Sequence, residues 1–360
     1  MNILYITMLI GKKSAGVSYS IPAQIKSQSK FDNVFWYNIN KVSKEVIDKG
    51  GLVKNLDDYP SMSLVDLPSP FNYPDIVIFE GLYFYPYIKI AKQCRDNEVP
   101  YIIIPRSSLT QQAQKNKKIK KIFGNLFFFN EFVNKANAIQ YLTKEEQSDS
   151  TNKWNSKSFV IPNGISNKEK IKSFNEITTL KGVFIGRPDI YQKGIDLLFD
   201  ACVSIKNELI ESKVTLELYA PYISNEKNVI EKMIVEKDLK DFIFVKDGIY
   251  GVTKEEVLLN SDFFILTSRF EGHPMGLIEA LSYGLPCLVT KGSNMAQEIL
   301  NNNAGWTAEN NSESIAKAFK KLLHEKNDLS KKGENALLLS KKYDWEQIAE
   351  ISHTQYLKLI

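Results

Sequence analysis

Two glutamates with seven residues between them stand in the segment Ser268-Arg269-Phe270-Glu271-Gly272-His273-Pro274-Met275-Gly276-Leu277-Ile278-Glu279-Ala280. Pro274 is placed to open a helix, because its missing N–H is one that a first helical turn leaves unused. The amides of Met275, Gly276 and Leu277 would then be free to meet an anion, with the positive end of the helix dipole behind them. Glu271 in the loop and Glu279 one turn inside the helix can face one cleft, one carboxylate reaching a sugar and the other a ribose. Solvated surface charge is the competing reading, and the apolar residues around Glu279 speak against it.

Two cations lie upstream in Gly186-Arg187-Pro188-Asp189-Ile190-Tyr191-Gln192-Lys193-Gly194. Arg187 offers a planar fork and Lys193 a point charge at the next helix start, a pair suited to a departing diphosphate without a metal. Alone, an ordinary surface Arg and Lys would look the same. A third segment, Gly11-Lys12-Lys13-Ser14-Ala15-Gly16-Val17-Ser18, is a glycine-bearing turn that lets a ligand near the backbone. Val17 stands where a Walker A loop needs Lys, and the G-x-G-x-x-G pattern is missing. By itself this is a plain strand-to-helix turn; Gly16 and Val17 gain weight only from the other two segments.

These segments need elements to position them. Apolar runs at 3–7, 34–37, 75–79, 101–104, 138–141 and 159–161 read as strands. Several are apolar throughout, as parallel strands covered on both faces should be. Polar helical stretches at 86–97 and 115–135 separate them, which argues for βαβ units. The turn Ile161-Pro162-Asn163-Gly164-Ile165 and a charged, irregular stretch at 167–179 interrupt the pattern. It then restarts, with strands at 180–185, 214–219, 242–245, 263–266 and 287–289 and helices at 194–208, 226–236, 254–259 and 276–283. A largely helical tail runs from 312 to the end. The expected organisation is α/β, with a first domain at 1–165, a linker at 166–179, a second domain at 180–343, and a C-terminal helix at 344–360 packing back on the first domain. The segments with Arg187/Lys193 and Glu271/Glu279 both follow strands, where open α/β sheets place their ligands.

Composition narrows the classes. A chain of 360 residues with 43% hydrophobic content suits two domains. A net charge of +4 falls short of a dedicated nucleic-acid binder, so no nucleic-acid partner is expected. Cys94, Cys202 and Cys287 are odd in number and widely spaced, and read as reduced, buried thiols of a cytosolic protein. His273, His324 and His353 are too scattered for zinc. No run reaches the ~18 apolar residues of a spanning helix. The stretch 3–10 lacks a preceding basic region, so it reads as a buried strand and not a signal peptide. Lys115, Lys117, Lys118, Lys120 and Lys121 precede Leu126-Phe127-Phe128-Phe129. This stretch fits either an anionic membrane surface or a core helix with one solvated basic face.

The Glu271-x7-Glu279 block, with Arg187 and Lys193 upstream, resembles glycosyltransferase family 4, retaining enzymes of the GT-B fold. The resemblance extends over nearly the whole chain: Ile161-Pro162-Asn163-Gly164-Ile165 is similar to the family's interdomain segment, and 136–146 to the strand and helix before it. It implies two Rossmann-like doubly wound domains facing a cleft, the first binding acceptor and the second a nucleotide-sugar donor, with a helical C-terminal tail. Arg187 and Lys193 would hold the donor diphosphate, Glu279 the ribose hydroxyls, and Glu271 the donor sugar near the reacting carbon. His273 and the amides of Met275, Gly276 and Leu277 would join the donor site, Gly16 and Val17 would approach the diphosphate, and 245–250 would line the base.

Many members of that family carry a His after the fourth strand of the first domain; here Arg106 follows the strand at 101–104. Arg stays charged and cannot act as a general base. In a cleft, Arg106 would bind acceptor or stabilise the leaving phosphate; a structural, ion-paired Arg is the other reading. Glu80 is a second candidate for acceptor or sugar contact. The resemblance implies same-face transfer in which the leaving phosphate oxygen takes the acceptor proton. The expected donor is a UDP-sugar, with no cofactor and no metal, and the expected enzyme a hexosyl- or N-acetylhexosaminyl-transferase. With the basic aromatic stretch, the resemblance implies a lipid-carrier-linked saccharide acceptor and bacterial surface polysaccharide (capsule) synthesis, in the cytoplasm or peripherally on the inner face of the plasma membrane. The rivals are a nucleotide-sugar epimerase or phosphorylase on the same architecture, and a non-catalytic membrane-docking module.

Overall fold

A computed structural model describes residues 1–11, 16–48, 51–115, 118–150, 154–155, 157–174, 178–222 and 225–360. The chain divides into two units, Met1–Gly164 with Trp345–Ile360, and Ile165–Asp344.

In unit 1 the strands are β1 (Asn2–Thr7), β2 (Asn33–Asn38), β3 (Val53–Asn55), β4 (Ile76–Glu80), β5 (Tyr101–Ile104), β6 (Ala138–Tyr141) and β7 (Ser158–Val160). They pair in parallel in the order β3-β2-β1-β4-β5-β6-β7. Successive side chains point to opposite faces. Ile3, Tyr5, Ile76, Ile78, Ile102 and Ile104 pack with Ile21 and Ile25 of the helix Val17–Gln28 and with Tyr356. Their neighbours Leu4, Ile6, Val77, Phe79 and Ile103 pack with Tyr87 and Ile90 of the helix Tyr85–Asp96. Both faces are covered, which is why these strands read as unbroken apolar runs. The helix Trp345–Tyr356 lies within unit 1: Ser27 Oγ donates to the Trp345 carbonyl (2.8 Å) and the Tyr356 hydroxyl to Gln140 Oε1 (2.7 Å).

In unit 2 the strands are β8 (Leu180–Ile185), β9 (Val214–Ala220), β10 (Ile243–Asp247), β11 (Phe263–Leu266), β12 (Cys287–Thr290) and β13 (Gly305–Ala308). They are also parallel, in the order β10-β9-β8-β11-β12-β13. Each sheet reverses its strand order beside its first strand, between β1 and β4 and between β8 and β11. Crevices for ligands open beyond strand ends at such switch points.

Several elements depart from the reading of the sequence. The short strands β3 and β13 carry no run long enough to announce themselves. The stretch 115–135 is helical from Lys118 to Asn134 but not α-helical throughout: Lys118–Gly124 is α-helical, Asn125–Phe129 a π-type turn, and Asn130–Asn134 α-helical again. Residues of the charged stretch after 166 lie against unit 2. The Lys172 amide donates to the Tyr283 carbonyl (2.7 Å), the Lys172 ammonium pairs with Asp262 (3.2 Å), and Phe174 packs on the unit 2 core. Cys94, Cys202 and Cys287 are buried free thiols, and burial pushes the Cys94 thiol up to about 12.

Candidate functional site

The segment after β8 turns through a short helix, Ile190–Lys193, whose N-terminus Asp189 caps by accepting from the Gln192 amide (2.8 Å). Gly194 ends it in the left-handed region at φ 62°, and the next helix, Ile195–Ser204, begins at once. A Cβ on Gly194 would lie 2.1 Å from the Thr267 carbonyl oxygen, so both conformation and close approach require glycine. Thr267, just past β11, donates through its hydroxyl to the carbonyls of Lys193 (3.1 Å) and Gly194 (3.0 Å). The end of the short helix is thereby tied to the end of β11, and Lys193 is aimed at the loop after β11.

There the Lys193 ammonium forms an ion pair with Glu271, whose Oε1 also accepts from Ser268 Oγ (2.7 Å). Lys193 is 9% exposed and Glu271 8%. The loop around this pair is braced by further contacts. Arg269 makes a two-pronged bond to Asp196 (2.7 and 2.7 Å) and lies over the Tyr191 ring (4.5 Å), and Thr290 Oγ1 donates to the Ser268 carbonyl (2.7 Å). Asn294 Nδ2 donates to the Glu271 carbonyl. Arg187 is exposed, one Nη resting on Gln192 Oε1 (2.8 Å), so its guanidinium has donors to offer a ligand.

The helix Met275–Ser282 begins after Pro274, as its sequence implies. One expectation needs correcting. Leu277 is buried and its amide is not free, since it donates to the Pro274 carbonyl (3.0 Å). The Met275 and Gly276 amides are the first-turn donors with no preceding helical carbonyl to reach. A Cβ on Gly276 would lie 3.1 Å from the Ile185 carbonyl oxygen, which brings this helix start against the end of β8, where the Arg187 loop leaves. His273 is buried, its ring edge-on to Tyr343 at 5.0 Å; burial lowers its pKa to about 3, so it is neutral at any working pH. Glu279 forms an ion pair with Lys254 on the helix Gly251–Leu259.

The candidates in unit 1 form a separate cluster. Register places Glu80, the last residue of β4, opposite Ile104, the last of β5, so Arg106 two residues on can reach it. Its guanidinium donates to Glu80 Oε2 (2.7 Å), Ser20 Oγ (3.2 Å), Asn163 Oδ1 (3.1 Å) and Gln24 Oε1 (2.9 Å). Its side chain is 9% exposed and that of Glu80 fully buried. Of the two readings of Arg106, this geometry favours the ion-paired, structural one over the catalytic one. Gly16 sits at φ −53°, which any residue adopts, so its backbone gives no reason for glycine; Val17 is exposed, and residues 12–15 lie outside the described residues.

Glu146 braces the same turn. Its carboxylate accepts from the Leu142 amide (2.8 Å) and from the Ser107 amide. Burial raises its pKa from the ordinary 4.5 to about 7, against the pull of those two amides and Arg106. A carboxyl raised in the folded state binds more protons folded than unfolded. Its contribution to stability is therefore whole below pH 4.5 and falls as pH rises to about 7, by up to about 3 kcal/mol. Melting temperatures across that window should fall more steeply for the wild type than for Glu146→Gln, which does not titrate. Parallel curves would refute a buried, titrating Glu146.

Sequence reading named Lys193, Glu271, Arg187 and Glu279 but missed Ser268, Thr267, Asn294 and Lys254. Ser268 carried a local signal, three residues before Glu271 in the same loop. Lys254 carried none.

Residues 167–338, which lie within unit 2, match the family described as glycosyl transferases group 1. An uncharacterized glycosyltransferase of Methanocaldococcus jannaschii is 24% identical over 232 residues, which span 64% of this chain and 62% of that relative's length. Sucrose-phosphate synthase from Thermosynechococcus elongatus superposes with a TM-score of 0.77 at 15% identity, covering 100% of this chain and 99% of that one. Anabaena HepE, in complex with UDP and glucose, superposes with a TM-score of 0.73 at 15% identity, covering 99% of each chain. The fold, two Rossmann-like parallel-sheet domains with a helical C-terminal segment, is that of GT-B glycosyltransferases.

Proposed function

We propose that this chain, with its glycosyl transferases group 1 domain, is a retaining glycosyltransferase that takes a UDP-activated hexose or N-acetylhexosamine on unit 2. The observation that carries the reading is the buried Lys193–Glu271–Ser268 cluster, held at the ends of β8 and β11. In our reading Lys193 and Arg187 neutralise the donor diphosphate, joined by the Met275 and Gly276 amides. Glu271 meets the sugar and Glu279 the ribose, displacing Lys254. His273, uncharged, lends shape and a ring nitrogen. The glycosyl bond to the phosphate oxygen breaks, a bond to an acceptor hydroxyl oxygen forms on the same face, and the acceptor proton passes to the departing phosphate. Two protein cations then do the work of a metal. Glu80 is assigned to unit 1's buried cluster. The acceptor is a lipid-carrier-linked saccharide of bacterial surface polysaccharide, reached from the cytoplasmic side of the membrane. The Anabaena protein with bound UDP and glucose supports the donor class by likeness of fold.

Thermal shift and turnover test this together. UDP should raise the melting temperature in EDTA-containing buffer, and a UDP-sugar with a saccharide acceptor should yield a glycoside there. Glu279→Gln should weaken UDP by about 10- to 100-fold, the value of a hydrogen bond to a charged group. Lys254→Ala should leave UDP affinity unchanged or tighter, because Lys254 competes for Glu279. Loss of turnover in EDTA, or rapid epimerisation of the donor without acceptor, would sink the reading.

A further inference from the structure

The helix Lys118–Gly124 and the π-type turn Asn125–Phe129 that continues it carry an apolar stripe on the outside of the protein. Ile119, Ile122, Phe123, Leu126 and Phe127 follow the i, i+3, i+4, i+7, i+8 spacing that lines one side of a helix. Such a stripe normally faces a core. Here the five residues are 73, 52, 59, 65 and 66% exposed. The opposite side is the one that packs. Phe129 is buried against Tyr83 (5.0 Å) and Tyr85 (5.4 Å), and the Lys121 ammonium lies 5.2 Å from the Tyr83 ring centre. The wider turn also leaves Phe128 44% exposed, edge-on to an exposed Tyr85 at 5.3 Å.

The charge within the segment that carries the stripe has one sign. At about 100° per residue, Lys118 and Lys120 fall on either flank of Ile119. Both are exposed, as is Lys115 on the preceding helix Gln111–Lys115; Lys117 lies outside the described residues. From 99 to 130 the sequence holds no aspartate or glutamate. An outward apolar stripe edged by lysines is the pattern of a helix lying in a lipid interface, with aromatics at the headgroup boundary and ammonium groups on phosphates. Pairing with a second copy would bring the lysine rows together, at a cost anionic lipid does not impose. No helix among the described residues is long and apolar enough to cross a bilayer.

We propose that this face seats unit 1 on an anionic lipid bilayer. The proposal deepens the reading of a lipid-linked acceptor by naming the surface that meets the lipid, and its test needs neither donor nor turnover. The full chain should co-float with vesicles containing phosphatidylglycerol and not with vesicles of phosphatidylcholine alone, and high salt should reduce the bound fraction. Lys118→Glu with Lys120→Glu should lower partitioning at least about 25-fold, about fivefold for each lysine. Phe123→Ser with Phe127→Ser should lower it more than tenfold, with the melting temperature and the UDP-induced shift retained, since these rings are exposed. Equal binding to both vesicle types would overturn the proposal. So would failure to bind either, or a dimer in solution that Phe127→Ser dissociates without any vesicle binding.

Discussion

Glu271→Gln should lower kcat/KM for transfer by about 100- to 1,000-fold, the loss seen when one preorganised electrostatic contact is removed, while UDP binding persists. Glu271 Oε1 already accepts from Lys193 and from Ser268 at 2.7 Å, and both charged side chains are nearly buried. Glutamine keeps the length and an oxygen for one of those donors, so the fold should survive with a modest fall in melting temperature. Alanine is a harsher test, because stranding a buried partner costs about 3–5 kcal/mol. Lys193→Ala should therefore remove transfer and also destabilise, leaving the Glu271 carboxylate with Ser268. The charge-swapped pair, Lys193→Glu with Glu271→Lys, separates the two effects. If the pair only braces the loop, the swap restores both stability and activity. If Lys193 meets phosphate and Glu271 the sugar, stability returns and transfer does not. Full activity in Glu271→Gln would end the site assignment.

What the sequence disclosed and what it hid follow from the range of the interactions. The central strands were legible because both faces of each sheet are covered, so β1, β4, β5 and β11 each carry an unbroken apolar run, at 3–6, 76–79, 101–104 and 263–266. The start of the helix Met275–Ser282 was legible because Pro274 constrains its own backbone. The amide of Leu277 was misjudged for a local reason: the first turn is tight enough for it to reach the Pro274 carbonyl. Lys193 and Glu271 were each visible as charges in loops, but their contact spans 78 residues. Only the two-strand register, with Thr267 tying it, brings them together. The stretch 115–135 shows the limit most clearly. Its periodicity said that Ile119, Ile122, Phe123, Leu126 and Phe127 share a side, and nothing local said whether that side faces inward. Phe129 and Tyr83, from a different part of the chain, decide it.

Arg106→Ala should destabilise unit 1 by about 3–5 kcal/mol, measured by urea unfolding, because it strands the buried Glu80 carboxylate. Glu80 Oε1 has no hydrogen-bond partner among the described residues, so the Arg106 bond to Oε2 is what balances its charge. The loss extends to the backbone. Arg106 and Ser107 sit in the left-handed region at φ 49° and 64°, conformations costing about 1–3 kcal/mol each for residues other than glycine. The guanidinium and the Glu146 carboxylate hold that turn, one by its side-chain bonds and the other by the Ser107 amide. Arg106→Lys should rescue little, since one ammonium cannot span Glu80, Ser20, Gln24 and Asn163 as a planar fork does. Adding Glu80→Gln to Arg106→Ala should recover much of the loss by removing the stranded charge, a coupling that the double-mutant cycle reads directly. A residue that served only the reaction would behave in the opposite way: its alanine variant would unfold at the wild-type urea midpoint and fail in turnover, and Glu80→Gln would restore nothing. Asn163 carries the consequence to the chain crossing, for its side chain is bonded to Arg106 and its neighbour Gly164 is the last residue of unit 1 before the chain enters unit 2.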